Sequence, residues 1–110
     1  MSTEKMRPLL IVEDDTALQK QIKWSLDRFE SVTADDRESA LVQFRRHAPA
    51  VVTMDLGLPP DADSVSEGFK LLDQMLAIDP DIKVIVLTGQ NDQANALRAV
   101  ALGAYDFFAK

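Results

Sequence analysis

Short apolar segments alternate along the chain with stretches in which apolar residues recur every three or four positions. The apolar segments lie at residues 9–12, 31–34, 50–54, 84–87 and 104–109. The first, third and fourth are almost continuously apolar, which is typical of strands buried on both faces of a parallel sheet. The segment at 31–34 is short and half polar, so it is predicted to be an edge strand.

The stretches between these segments have the spacing of amphipathic helices. Four apolar stripes define them: Leu18, Ile22, Leu26 and Phe29; Ala40, Leu41, Phe44 and Ala48; Phe69, Leu72, Met75 and Leu76; and Ala94, Leu97, Val100 and Ala101. Asp15 is a candidate N-cap for the first helix, and Asp35 with Glu38 has the spacing of a capping box before the second. The Asp-Pro pair at 79–80 is expected to end the third helix, and Gly103 the fourth.

The order of elements is βαβαβαβαβ, which predicts one α/β domain with a parallel sheet and right-handed crossovers. The chain has 110 residues, the size of a single domain. It has no cysteine, which excludes disulfides and thiolate metal or redox sites. Its net charge of −6 argues against a nucleic-acid-binding surface. Neither a membrane span nor a secretory signal is evident, so we expect a cytoplasmic domain.

Polar side chains follow four of the predicted strands at their carboxyl ends. Glu13 and Asp14 follow the first strand, Asp55 the third, Thr88 the fourth and Lys110 the fifth. Ligands of open α/β sheets bind outside the carboxyl ends of the strands, so these side chains are expected to lie together. Two acids directly after the first strand are also more than a helix cap requires.

The chemistry of this set follows from its charges. Three neighbouring carboxylates repel one another unless a cation lies between them. Oxygen ligands without histidine or cysteine favour Mg²⁺ or Mn²⁺. A divalent ion beside a carboxylate, a hydroxyl and an ammonium group is typical of phosphoryl transfer, in which a carboxylate can itself accept the phosphoryl group.

Four segments carrying these residues, at 10–15, 54–59, 86–89 and 103–110, resemble the receiver domain of bacterial two-component response regulators. The resemblance covers the whole chain in the right order. It implies a flavodoxin-like, five-stranded parallel sheet of order 2-1-3-4-5 flanked by helices. It also implies a sensor histidine kinase as partner and a regulated output activity, transcription being the expected one.

The resemblance also implies roles for individual residues. Asp55 is the expected phosphoacceptor and Lys110 the lysine that pairs with the phosphoryl group. Thr88 matches the switch hydroxyl and Phe107 the switch aromatic. Mg²⁺ or Mn²⁺ is expected on four groups: the carboxylates of Asp14 and Asp55, the backbone carbonyl of Gly57, and Glu13 through a water molecule.

The chain departs from the family pattern in two places. The loop at residues 60–67 is about five residues longer than is typical and is acidic, which is either a tolerated surface insertion or a determinant of kinase choice or phosphoryl lifetime. The chain ends at Lys110, where a receiver domain continues into a fifth helix. We therefore expect a fragment of a longer regulator with a DNA-binding output domain. The sheet face beside the first helix is expected to be covered by a homodimer or a swapped oligomer.

Two other functions stay open at this point. One is a small phosphohydrolase with an aspartyl-phosphate intermediate, although such enzymes place a second acid two residues after the nucleophile, where this chain has Gly57. The other is a binding platform that acts without phosphorylation, which the complete set of polar residues argues against. The favoured interpretation is a regulatory phosphoacceptor, not an enzyme.

Overall fold

The computed structural model describes residues 8–60, 65–89 and 93–110. The strands are β1 (Leu9–Val12), β2 (Ser31–Ala34), β3 (Val51–Asp55), β4 (Lys83–Thr88) and β5 (Asp106–Ala109), and the helices are α1 (Thr16–Ser25), α2 (Arg37–His47), α3 (Ser66–Ile78) and α4 (Gln93–Ala101). The strands form one sheet of order β2-β1-β3-β4-β5 in which all neighbours are parallel. The predicted α/β fold, strand order and edge position of the second strand are therefore confirmed.

The main core lies between the sheet and helices α2, α3 and α4. Val12, Met54 and Val86 occupy neighbouring register positions on β1, β3 and β4, and each is almost completely buried. Leu72 and Met75 of α3 pack into the same cluster. Because the three central strands are buried in register, their carboxyl ends align, and the residues that follow them meet at one edge of the sheet.

The opposite sheet face is less well covered. No residue of α1 is buried, and its apolar stripe is only half-buried. A groove of about 380 Å³ lies between Ile22 of α1 and the side chains of Thr53, Leu87 and Phe108. Phe108 is 55% exposed. Among the described residues, α1 alone covers this face, as the topology predicts.

The cap of α2 differs from the sequence prediction. Asp36, not Asp35, is the N-cap, and its carboxylate accepts a hydrogen bond of 2.8 Å from the Ser39 backbone N–H. The Ser39 hydroxyl completes the box by accepting from the Asp36 backbone N–H, at 3.2 Å. Asp35 and Glu38 have the same spacing, but α2 begins one residue later than they require. The hydrogen bonds from Ser39 hold the pKa of the Asp36 carboxyl below its usual value.

The other predicted helix ends are confirmed. The Asp15 carboxylate accepts from the backbone N–H groups of Ala17 and Leu18, so Asp15 caps α1. Helix α3 ends at Ile78, directly before Asp79. Gly103 follows α4 with a φ of 123°, a conformation that favours glycine. Every helix in the described part of the chain is too short or too polar to cross a lipid bilayer.

Candidate functional site

Three carboxylates meet where β1 and β3 end. Glu13 and Asp14 directly follow β1, and Asp55 is the last residue of β3, the strand beside it. One carboxylate oxygen from each of the three lies within 4.8 Å of the others. Glu13 is buried, whereas Asp14 and Asp55 are partly exposed. The three acids predicted from the strand ends are therefore brought together, and two of them are within reach of solvent.

Glu13 is an unusual member of this cluster because its side chain is only 1% exposed. Its Oε2 accepts a hydrogen bond of 3.2 Å from the backbone N–H of Asp15, while its buried Oε1 accepts none. Burial raises the pKa of Glu13 to about 7, and the nearby Asp55 charge acts in the same direction. The Asp15 N–H and Lys110 oppose this rise without cancelling it.

Lys110 reaches the cluster from the end of β5. Its Nζ donates a hydrogen bond of 2.7 Å to Oδ2 of Asp55 and lies 3.4 Å from Oε1 of Glu13. Burial would lower the pKa of the Lys110 ammonium, but its contacts with Asp55 and Glu13 outweigh burial and raise that pKa. The backbone N–H of Lys110 donates to the Thr88 carbonyl at 2.7 Å, which fixes Lys110 beside the end of β4.

The backbone turn after β3 is held tightly. The Gly57 N–H donates a hydrogen bond of 3.1 Å to Oδ1 of Asp55. Leu56 and Leu58 are buried on either side of Gly57. Gly68 in the first turn of α3 packs directly on Leu56, since a Cβ at position 68 would come within 2.5 Å of the Leu56 Cα. This close approach explains why a glycine stands near the start of α3.

Thr88 and Phe107 lie on the same face of the sheet. Thr88 is 3% exposed at the end of β4, opposite Ala109 of β5. Phe107 is opposite Val86, and its half-buried ring packs against the main core. Side chains two residues apart on a strand share a face. Thr88 and Phe107 therefore lie on the same face of the sheet, on the neighbouring strands β4 and β5, with their register positions two residues apart.

The oxygen atoms that this cluster offers as metal ligands suit a hard divalent cation. The described acids offer carboxylate oxygens only, which Mg²⁺ and Mn²⁺ prefer. The buried Oε1 of Glu13 accepts no hydrogen bond, and the Lys110 ammonium 3.4 Å away does not outweigh the cost of ionising it. A divalent cation in the cluster would offset that cost further. The cluster is thus compatible with the expected Mg²⁺.

Two features near the site were missed from the sequence. Gln19 of α1 donates from its Nε2 to the Glu13 backbone carbonyl at 3.0 Å and to Oδ1 of Asp35 at 3.2 Å. Arg37, the first residue of α2, forms an ion pair of 3.1 Å with Glu67 in the first turn of α3. Neither contact has a sequence signal, because each joins residues from different elements. In the predicted insertion, residues 61–64, which include Asp61 and Asp63, lie outside the described residues.

Comparisons with known proteins agree with this arrangement. Residues 9–110 match the family described as the response regulator receiver domain. The chain is 32% identical to protein CcdB of Bacillus subtilis, with 96% of this chain and 86% of that protein covered. It is 30% identical to the chemotaxis protein CheY of the same organism, with 93% and 83% covered.

Other relatives are much longer than this chain. It is 32% identical to DctD of Pseudomonas aeruginosa, a C4-dicarboxylate transport transcriptional regulatory protein, with 93% of this chain but 21% of that protein covered. It also spans 41% of the probable transcriptional regulator ycf27 of Guillardia theta.

Solved structures show the same likeness. NtrX of Brucella abortus aligns with a TM-score of 0.85 at 30% identity, over 96% of this chain and 23% of that one. A response regulator receiver domain protein of Clostridium thermocellum aligns with a TM-score of 0.83 at 28% identity, over 96% and 82%. Such domains are regulatory parts of two-component systems. By sequence and by fold, the chain belongs to the response regulator receiver domain family.

Proposed function

We propose that Asp55 is the phosphoacceptor of this receiver domain and takes its phosphoryl group from a sensor histidine kinase. The observation that carries the proposal is the 2.7 Å hydrogen bond between Lys110 Nζ and Asp55 Oδ2 inside a cluster of three carboxylates. An acceptor carboxylate needs a nearby cation that can then pair with the incoming phosphoryl oxygens. The contact of Lys110 with Asp55 supports this role for Lys110.

In the proposed reaction, a carboxylate oxygen of Asp55 attacks the phosphorus atom of a phosphohistidine on the kinase. A P–O bond forms while the P–N bond breaks, and the bonding electron pair returns to the imidazole. The product is an acyl phosphate on Asp55. Because its pKa is raised, Lys110 stays protonated throughout and offsets charge on the phosphoryl oxygens.

The carboxylates of Asp14 and Asp55 and the backbone carbonyl of Gly57 would hold Mg²⁺ or Mn²⁺, with Glu13 acting through a water molecule. The bound ion supplies charge neutralisation on the transferring phosphoryl oxygens. When ionised, Glu13 would add negative charge from a buried position. By accepting the hydrogen bond from the Asp15 N–H, it also keeps the backbone after β1 in place.

Thr88 and Phe107 would carry the signal away from Asp55. The Thr88 hydroxyl, at the end of the strand beside β3, is proposed to bind a phosphoryl oxygen. Phe107 lies on the strand beside Thr88 and on the same sheet face, so a movement of Thr88 would change the space available to the Phe107 ring. Because Phe107 is only half-buried, an inward turn would bury more of its ring.

We propose further that this switch controls an output activity in the cytoplasm, with transcription favoured because relatives such as DctD are named as transcriptional regulatory proteins. DNA contact would belong to an output domain, since this chain carries a net charge of −6. The domain is regulatory, with self-phosphorylation and self-dephosphorylation as its only chemistry. A homodimer or swapped oligomer would cover the groove beside α1.

The test is incubation with Mg²⁺ and acetyl phosphate, followed by intact-mass measurement. We expect a single labile phosphoryl adduct that Asp55→Ala abolishes. Asp27→Ala is the matched control, because Asp27 is exposed and is not one of the three clustered acids, and it should be phosphorylated like the unaltered protein.

The other outcomes identify the alternatives. Rapid consumption of acetyl phosphate without an adduct would indicate a phosphohydrolase. Absence of both an adduct and Mg²⁺ binding would indicate a binding platform that works without phosphorylation. The first result would contradict a regulatory phosphorylation of Asp55, and the second would contradict its role as phosphoacceptor.

A further inference from the structure

A polar cluster outside the acidic site connects the starts of α2 and α3. The Arg37 Nε donates to Glu67 Oε1 at 3.1 Å, and its Nη1 donates to Gln74 Oε1, also at 3.1 Å. Glu67 and Gln74 are seven residues apart and therefore share one face of α3. A single guanidinium thus joins two positions of α3 that are about two helical turns apart to the first residue of α2.

This contact is better protected than an ordinary surface ion pair. The side chains of Arg37 and Glu67 are 26% and 13% exposed. The second Glu67 oxygen faces Lys70, whose Nζ lies 3.5 Å away on a side chain that is 63% exposed. Glu67 therefore has one sheltered partner on another helix and one solvent-exposed partner on its own helix.

The start of α3 is also in direct contact with the backbone next to Asp55. Gly68, which follows Glu67, packs on Leu56 with no space for a Cβ. Leu56 lies between Asp55 and Gly57 in the chain. The backbone N–H of Gly57 donates a hydrogen bond to the Asp55 carboxylate. A displacement of the first turn of α3 must therefore move the turn that carries Asp55 and the Gly57 carbonyl.

We propose that Arg37 is a positioning residue for the metal site of this receiver domain. By fixing α3 against α2, it holds residues 56–57 in the backbone conformation that binds Mg²⁺. This inference rests on the proposed function, because it assumes that Asp55 and Gly57 are metal ligands. Arg37 itself does not touch the ion or the phosphoryl group.

The test compares Arg37→Ala with Lys70→Ala, the control that removes the exposed partner of Glu67 and leaves its contact with Arg37. Mg²⁺ binding is measured by titration calorimetry and by the shift of the Gly57 amide in ¹⁵N NMR spectra. We expect Arg37→Ala to weaken Mg²⁺ binding about three- to tenfold, at or below the lower end of effects seen for residues that support metal ligands. Lys70→Ala should bind Mg²⁺ like the unaltered protein.

A merely structural role is separated from positioning by urea denaturation with EDTA and with a fixed, subsaturating concentration of Mg²⁺. A structural role lowers the midpoint equally in both, whereas a positioning role also reduces the increase that a fixed, subsaturating Mg²⁺ concentration produces. If Arg37→Ala does not fold, Arg37→Lys replaces it, because lysine keeps the charge but loses the planar fork that reaches both Glu67 and Gln74.

Equal Mg²⁺ affinity in the folded Arg37 variant and in Lys70→Ala would overturn the positioning role. This failure is distinct from failure of the proposed function, in which the unaltered protein itself would neither bind Mg²⁺ nor form the Asp55 adduct.

Discussion

Replacing Glu13 by glutamine should stabilise the protein in the absence of divalent cations. The Glu13 side chain is 1% exposed, and its Oε1 accepts no hydrogen bond. The ion pair of Oε1 with Lys110, at 3.4 Å, does not outweigh the cost of burial, because the pKa of Glu13 is still raised. Glutamine has nearly the same shape and carries no charge, so it removes the cost of burying an ionised carboxylate while keeping an oxygen for the Asp15 N–H.

The size of the effect follows from the pKa of Glu13, which burial raises from 4.5 to about 7. At about 1.4 kcal/mol per pH unit, this rise corresponds to a penalty on the order of 3 kcal/mol at alkaline pH. The unfolded chain loses the Glu13 proton near pH 4.5, whereas the folded chain keeps it until about pH 7. The free energy of unfolding should therefore decrease as pH rises between these two values and level off above the second.

The assay is urea denaturation in EDTA, followed by far-ultraviolet circular dichroism, at several pH values from about 5 to 8. Glu13→Gln should lose the decrease and exceed the unaltered protein most at the highest pH. The control is Glu30→Gln, since Glu30 is exposed and its substitution removes the same charge. It should keep the pH dependence of the unaltered protein.

Parallel pH profiles for Glu13→Gln and the unaltered protein would refute this reasoning, because they would mean that Glu13 ionises in the folded protein as it does in the unfolded chain. Mg²⁺ provides a second check at about pH 8. It should stabilise the unaltered protein more than Glu13→Gln, since the ionised carboxylate favours a nearby cation.

Three further predictions concern packing, capping and association. Gly68→Ala should lower the free energy of unfolding by about 1–3 kcal/mol, because the new Cβ meets the Leu56 backbone. Chemical denaturation measures this change, and an unchanged midpoint would contradict the close packing. Asp36→Ala should cost about 1 kcal/mol in the same assay through loss of the cap on the Ser39 N–H, whereas Asp35→Ala should cost less. The groove that Phe108 lines should drive self-association, which sedimentation would detect and Phe108→Glu would reduce; a folded monomer at high concentration would argue against it.

Much of the fold could be predicted from the sequence because its signals are local. Buried parallel strands are continuously apolar, and apolar residues in helices recur every three or four positions. The type and order of the elements therefore follow from residues that are close together in the sequence. The acids at 13, 14 and 55 could be grouped for a related reason, since parallel strands bring their carboxyl ends to one edge. The outcome is a cluster within 4.8 Å that Lys110 joins at 2.7 Å from Asp55.

Local spacing could not decide between equivalent choices. Asp35 with Glu38 and Asp36 with Ser39 have the same separation, and only the point at which α2 begins selects the second pair. The apolar stripe of α1 indicates which side of the helix faces the sheet. How far that side is buried depends on what lies opposite, and the described residues leave it half open.

By itself, the sequence determined the order of elements and the strand ends that carry charge, and hence the grouping of acids at one edge of the sheet. Only the tertiary structure decided which of those acids is buried, and so which has a raised pKa. It also decided that Arg37 of α2 meets Glu67 of α3, thirty residues later. The reason is physical: periodicity and strand ends are properties of short segments, whereas desolvation and ion pairing depend on distances between segments that exist only after packing.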